Sequence, residues 1–370
     1  MRKLQELDPR RAMVMDNTVR LPTPAPDSYV GDLRKTGIAP DFWYPIARSR
    51  DLKPGKLLGA RFAGAPIALA RTRAGKLLAL EDRCAHRQVP LSVGVVADDA
   101  IRCGYHGWEY NAEGRCVSVP YLDRCSMQPN SVRHYPVREA YGLIFVFPGE
   151  ASRAATTPFP AVPSATDPAY KTRYLDRRVD CHWSFMHENL MDMNHQFLHR
   201  RLMGSIKTMF LGTRHGPNWV ETDYTFHRAS GRQPLGEKFM LGKRPETGPE
   251  ERDLMTIRTE YPYQTLKFWT AGSTHPALDL WNVYVPLDAA QRTNHTYGLM
   301  MIRRPGMGFL LDMFWPFIVW FTNGIFAEDR WICELEQAAF DAQGEDRNQE
   351  IFPAIRSLRK VLVENGVRMG

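Results

Sequence analysis

CAHRQVPLSVGVVADDAIRCGYHGW, residues 84–108, holds Cys84-x-His86 and, after sixteen intervening residues, Cys103-x-x-His106. Each half offers one thiol and one imidazole on a short loop, and Gly104, Gly107 and Trp108 suit a tight second loop. Two thiolates suit one iron of a [2Fe–2S] cluster, and two neutral imidazoles suit the other. Histidine in place of cysteine removes negative charge from such a cluster and raises its potential. A zinc site would use the same four donors, but zinc fingers keep their cysteines together and their histidines together. The mixed donors in each loop favour iron–sulfur, with zinc as the alternative. Arg83, Arg87 and Arg102 flank the loops, either to steady a negative cluster or to meet a redox partner.

Around this stretch, from Asp41 to Pro148, short β-type runs alternate with turn signals. ALARTRAGKLLALEDRC turns at Ala74-Gly75, CGYHGWEYNAEGRCVSV turns at Asn111–Gly114, and YGLIFVF reads as another strand. That rhythm predicts a small antiparallel β domain over 41–150. Residues 1–40 read as an irregular arm rich in proline and polar residues. A Pro/Ala/Thr-rich segment at 151–170 makes the best linker, leaving 171–370 as a second domain. There, Cys181–Arg201 reads as helical after a short strand. Strand signals fall at 218–228, 253–270, 279–286 and 292–303, and helical ones from about Phe309 to Val367. Strands followed by helices predict an α+β domain.

Composition bounds the function. A chain of 370 residues, 44% apolar and 24% charged, has the make-up of a soluble globular protein with room for two cores. The N-terminus is charged throughout and lacks the apolar segment of a secretory signal, so a cytoplasmic protein is expected. The longest uncharged apolar run, Met313–Ala327, is shorter than the roughly 20 residues a membrane span needs. Six cysteines are too sparse for a disulfide scaffold. The net charge of +7 has no basic stripe interleaved with aromatics, which argues against nucleic acid. It is either an ordinary solvated surface or a docking face for an acidic redox partner.

With its CxH and CxxH loops, the chain resembles the catalytic α subunits of the Rieske non-haem iron oxygenases. The resemblance implies a Rieske [2Fe–2S] domain that receives single electrons from a separate NAD(P)H-dependent reductase or ferredoxin. It also implies a helix-grip catalytic domain holding mononuclear Fe(II). In that family N-x-x-D-x-x-H and a later histidine supply two iron ligands, and Asn189, Asp192, His195 and His199 match in order. The family usually has four residues between the histidines; here there are three. An i, i+4 spacing still places two imidazoles on one helical face, with Cβ atoms roughly 5–6 Å apart.

Asp192 lies seven residues before His199, about 10 Å along a helix, so without a break it cannot share an ion with His199. It is better placed to orient a ligating histidine. The resemblance gives it a bridging role toward a cluster histidine of a neighbouring subunit, which implies a ring, usually a homotrimer. The family's late E-D-x4-E-x2-Q pattern is matched by Glu328, Asp329, Glu334 and Gln337. By that match Asp329 is the third ligand.

Iron held by two histidines and one carboxylate keeps open positions for O2, and the cluster supplies electrons that ferrous iron alone lacks. No GxGxxG fingerprint opens a βαβ unit, so the reductase must be another chain. The motifs look most like the homo-oligomeric monooxygenase and O-demethylase branch, acting on an apolar or aromatic substrate, alicyclic and sterol-like skeletons included. Aromatic-ring cis-dihydroxylation, a purely electron-transferring Rieske protein, and structural zinc at His195 and His199 are the alternatives. Met209, Phe210, Phe239, Met240, Trp269 and Trp281 either line an apolar pocket or form core, and apolar Leu310–Phe326 precedes Asp329.

Overall fold

The computed structural model describes residues 32–122, 130–230, 253–306 and 308–369. Among them, the first half forms three small antiparallel sheets. One orders Val137–Ala140, Leu143–Val146 and Tyr44–Arg48; another orders Lys56–Phe62, Ala65–Arg71 and Leu77–Glu81. The third, of Val95–Ala97, Ala100–Arg102, Glu109–Tyr110 and Cys116–Ser118, presents the second cysteine–histidine loop. Both anticipated turns form: Thr72 N donates to Lys76 O at 2.9 Å, and Asn111 Oδ1 accepts from Arg115 N at 2.9 Å. The Ala63-Gly64 hairpin takes positive φ at both positions, 45° and 87°, as a two-residue primed turn requires. Its amides donate to Pro286 O (2.7 Å) and Leu287 O (3.0 Å), stitching the two halves together.

The second half is built on a seven-stranded antiparallel sheet. Its order is Tyr170–Val179, Asn294–Arg303, Leu278–Pro286, Tyr263–Trp269, Leu254–Glu260, Trp219–Ser230 and Ser205–His215. The apolar 253–270 run is thus two strands, joined by the Tyr261-Pro262 turn. Ser205–His215 was not anticipated. It is an edge strand with no fully buried residue, so it lacks the alternation that marks a half-buried strand. One sheet face carries Trp281 and Tyr263, with rings 5.5 Å apart, and Trp281 lies 6.2 Å from Phe145 of the first half. Trp281 is 2% exposed and therefore core. Phe210 instead lies on the surface against Phe352. Phe239 and Met240 fall outside the described residues.

Four α-helices among the described residues cover the other face: α1 (Trp183–Met191), α2 (Arg200–Met203), α3 (Gly308–Gln343) and α4 (Pro353–Asn365). α4 buries Leu358, Val361 and Leu362. α3 holds the uncharged run judged too short to span a membrane, but continues well past it. Its 36 residues include an 18-residue window, mean hydropathy 1.4, that is apolar enough to cross a bilayer by length and composition, and only 22% of that window is buried.

Of the expected arm, residues 1–31 lie outside the described residues, and the segment from Asp32 onward is pinned to the second half. Thr36–Gly37 pairs with Val367–Arg368, and Arg34 bonds Glu188 and Ser184 of α1. The 151–170 segment is also anchored: Phe159 meets Trp43 at 5.6 Å and Phe145 at 4.9 Å.

The continuous helix expected over Cys181–Arg201 is broken. α1 ends at Asp192, which takes an extended conformation (φ −94°, ψ 93°), and a 3-10 turn spans Met193–Phe197 before α2 begins. Asp192 Oδ1 accepts from Asn194 N (2.8 Å) and Asn194 Nδ2 (2.7 Å). This local bonding competes with helical continuation. His195 and His199 therefore do not share a helix.

Candidate metal centres and active site

The first donor set is held by two loops with closed backbone bonding. Cys84 N donates to Val89 O at 2.9 Å and Gln88 N to Cys84 O at 2.8 Å, wrapping the chain around His86. Cys103 N donates to Trp108 O at 2.8 Å and Gly107 N to Cys103 O at 3.2 Å. Gly107 takes φ +72°, and a Cβ there would lie 2.9 Å from Pro120 Cγ, so both conformation and space demand glycine. The His86 and His106 rings lie 4.5 Å apart, and His86 stacks on Trp108 at 4.8 Å. Both thiols are buried, and Tyr110 Oη sits 3.2 Å from Cys84 Sγ.

His86 Nδ1 is buried with no partner. A buried nitrogen in that state fits a donor waiting for a metal. Burial, opposed by the Tyr105 amide, holds the Cys103 thiol above its ordinary range, and a bound cation would reverse that by ionising it. Of the flanking arginines, Arg83 pairs with Glu81 at 2.7 Å and Arg102 with Glu109 at 2.8 Å, while Arg87 is exposed.

The second donor set is assembled by three elements: the 3-10 turn brings His195, the start of α2 brings His199, and α3 brings Asp329. One ligand atom from each lies within 4.8 Å of the others, and among the described residues this is the one group of three such donors. His199 Nε2 is 3.1 Å and His195 Nε2 3.8 Å from Asp329 Oδ1, and the two rings are 5.1 Å apart. Glu328 Oε2 lies 2.9 Å from His199 Nδ1. A carboxylate on the far nitrogen fixes the tautomer and leaves Nε2 toward the shared point. Spacing alone assigns Glu328 no role; its place beside Asp329 in the sequence is the signal for it.

His195 Nδ1 is buried without a hydrogen-bond partner. Burial, partly opposed by Asp329, holds His195 below the ordinary imidazole range. The ring is therefore neutral near pH 7, as ligation requires. Asp192 stands outside the trio, its carboxylate engaged by Asn194, and Asn189 sits half-buried on the last turn of α1.

Two domains, one with mixed cysteine and histidine loops and one with a histidine–carboxylate trio beneath an antiparallel sheet, define an oxygenase of the two-centre iron type. Comparison with known proteins bears on the class directly. Residues 42–136 match the Rieske [2Fe-2S] domain, and residues 179–355 match the vanillate O-demethylase oxygenase C-terminal domain. The chain is 31% identical over 350 residues to the 4beta-methylsterol monooxygenase of Methylococcus capsulatus, covering 90% of this chain and 89% of that protein. It is 36% identical over 159 residues to the oxygenase component of dicamba O-demethylase from Stenotrophomonas maltophilia, covering 43% and 47% of the two chains. The crystal structure of dicamba monooxygenase bound to dicamba superposes with a TM-score of 0.71 at 22% identity, over 89% of this chain and 98% of that one.

The chain belongs to the Rieske non-haem iron oxygenases. It is a terminal oxygenase component with a Rieske [2Fe–2S] cluster and a mononuclear iron, and it uses O2 and electrons from a separate reductase or ferredoxin.

Proposed function

We propose that this oxygenase hydroxylates or O-demethylates an apolar or aromatic small molecule, sterol-like skeletons included, as a cytoplasmic homotrimer. Cys84, His86, Cys103 and His106 are assigned as cluster ligands, and His195, His199 and Asp329 as ligands of the lone iron. The observation that carries this reading is the convergence of His195 and His199 with Asp329, 130 positions after His199. Bound there, iron would supply the O2 chemistry. The chain's own residues do the positioning: Glu328 orients His199, burial keeps His195 neutral, and the break at Asp192 turns both rings toward α3.

Asp192 is assigned the electron bridge to a cluster histidine of a neighbouring copy, with Asn189 supporting it at the end of α1. In support, Val93, Tyr105, Tyr121 and Leu122 near the cluster loops are 68%, 57%, 58% and 54% exposed, an apolar surface suited to being covered. The domain division follows the same reading: arm 1–40, cluster domain 41–150, linker 151–170 and catalytic domain 171–370. Aromatic compound catabolism is the process in which such an enzyme would act.

Anaerobic iron counting with EPR, followed by O2-uptake screening against aromatic, methoxylated and steroidal compounds, tests the reading. Three irons per chain and O2 uptake coupled to product are expected. Two irons per chain would leave an electron-transfer protein and overturn it.

A further inference from the structure

The outward side of α3 is apolar along most of its length. Phe309, Met313, Trp320 and Trp331 are 64%, 58%, 62% and 51% exposed, and Pro316 and Ala327 between them are exposed as well. At 3.6 residues per turn these six fall within an arc of roughly 60° and form a ridge about 33 Å long. Leu311, Ile318, Thr322 and Asp329, all buried, lie on the opposite side of the helix. From Gly308 to Ala327 the only charged residue is Asp312. A continuous apolar ridge of this length marks a face that something covers.

Cations border the ridge on both sides. On one, Lys171 and Arg304 share Asp312 at 2.5 and 2.9 Å, Lys171 Nζ lies 4.3 Å over the Trp315 ring, and Arg330 follows further along. On the other, α2 packs so closely that a Cβ on Gly324 would meet Leu202 Cδ1 at 2.8 Å, and α2 carries the exposed Arg200 and Arg201. A second copy docked by two-fold symmetry would set these cationic borders against one another. An anionic lipid surface accepts both features together: apolar and tryptophan side chains enter the headgroup boundary while lysine and arginine meet the lipid phosphates. Crossing the bilayer is a different matter. It would pull α3 off the sheet and take Asp329 away from His195 and His199.

We propose that the outward ridge of α3 is a docking surface for an anionic membrane, on which the helix lies flat without spanning it. Phe309, Met313, Trp320 and Trp331 supply the apolar contact, and Lys171, Arg304, Arg200, Arg201 and Arg330 supply the charge. Docking of this kind sets the helix that carries Asp329 at the lipid boundary, where apolar molecules concentrate. The inference goes beyond the oxygenase reading, and vesicle binding is measured without turnover, so the two fail separately.

The test is co-sedimentation of the iron-loaded full chain with vesicles of phosphatidylcholine alone or of equal parts phosphatidylcholine and phosphatidylglycerol. The anionic vesicles should bind about tenfold or more tighter than the neutral ones. Phe309→Ser, Met313→Ser and Trp320→Ser combined should weaken that binding about tenfold or more, with iron content and the cluster's visible spectrum unchanged. Lipids brominated on their acyl chains should quench tryptophan fluorescence in the wild type, and Trp320→Phe should bind nearly as well but lose part of the quenching. Absence of vesicle binding, or unchanged binding by the triple variant, would overturn the proposal. So would binding that high salt removes and that brings no quenching, since that is adsorption of a cationic protein without apolar contact. A self-association of the wild type that the triple variant abolishes, with no vesicle binding by either, would assign the ridge to a second copy and overturn it too. If the triple variant loses the cluster spectrum and so has not folded, quenching of the wild type by brominated lipid decides alone.

Discussion

Glu188→Gln should destabilise the catalytic half sharply while leaving every proposed metal donor in place. Glu188, on the inner face of α1, is 11% exposed and meets two arginines from distant segments, Arg34 before the first domain and Arg359 on α4. Arg34 is 1% exposed and Arg359 16% exposed at the side chain, so neutralising Glu188 strips Arg34 of its ion-pair partner out of water and leaves Arg359 only Asp346, at 3.7 Å. Removing one member of a buried ionic cluster costs about 3–5 kcal/mol. For a domain of roughly 200 residues, at about 2–4 °C per kcal/mol, Tm should fall by about 6–20 °C.

Burial alone would raise the Glu188 carboxyl, but the Arg34 and Arg359 charges overcome that and hold it below the usual range. Its stabilisation is therefore complete above the unfolded-state value of 4.5 and is lost as pH falls through the lower folded-state value. Calorimetric melts from pH 7 to pH 3 should show the gap between wild type and variant closing at the acid end. Deleting Glu188 and Arg34 together should cost less than deleting Glu188 alone, since Arg359 keeps Asp346. A Tm within about 2 °C of wild type at pH 7 would refute the reasoning.

Three more outcomes are expected. His195→Ala should lower iron from three to two per chain and abolish turnover, with the visible spectrum of the cluster unchanged; a bleached cluster would contradict the division between the two centres. Cys103→Ser should remove that absorbance, and a normal spectrum would remove this residue from the proposed ligands. Asp192→Asn retains an oxygen for Asn194 and should keep its iron, yet electron delivery in single-turnover kinetics should stall. Asp192→Ala should also lose about 1 kcal/mol of stability through the missing cap.

Much of the first half was legible because its signals are local. Glycine and asparagine mark its turns, and the four donors of the first centre fall within 23 residues, Cys84 to His106. The strands from Trp219 onward showed through their β-branched and aromatic runs. Ser205–His215 did not, since an edge strand without buried residues has no alternation to read. The break at Asp192 was equally hidden: spacing alone fits an unbroken helix, and the Asn194 bonds that end it are seen only in three dimensions. Trp281 could not be divided between pocket and core until its packing against Tyr263 and Phe145 was known.

Residue order alone was enough to settle the kinds of donor present, the turns between short strands and the chemistry that sulfur–imidazole loops imply. These depend on neighbours a few positions apart. Bringing Asp329 to His195 and His199, and leaving α3 with only a small part of its apolar window covered, required the sheet's register and the docking of α3 upon it. Contacts between residues more than a hundred positions apart are chosen by how whole elements pack, and no local periodicity carries that information.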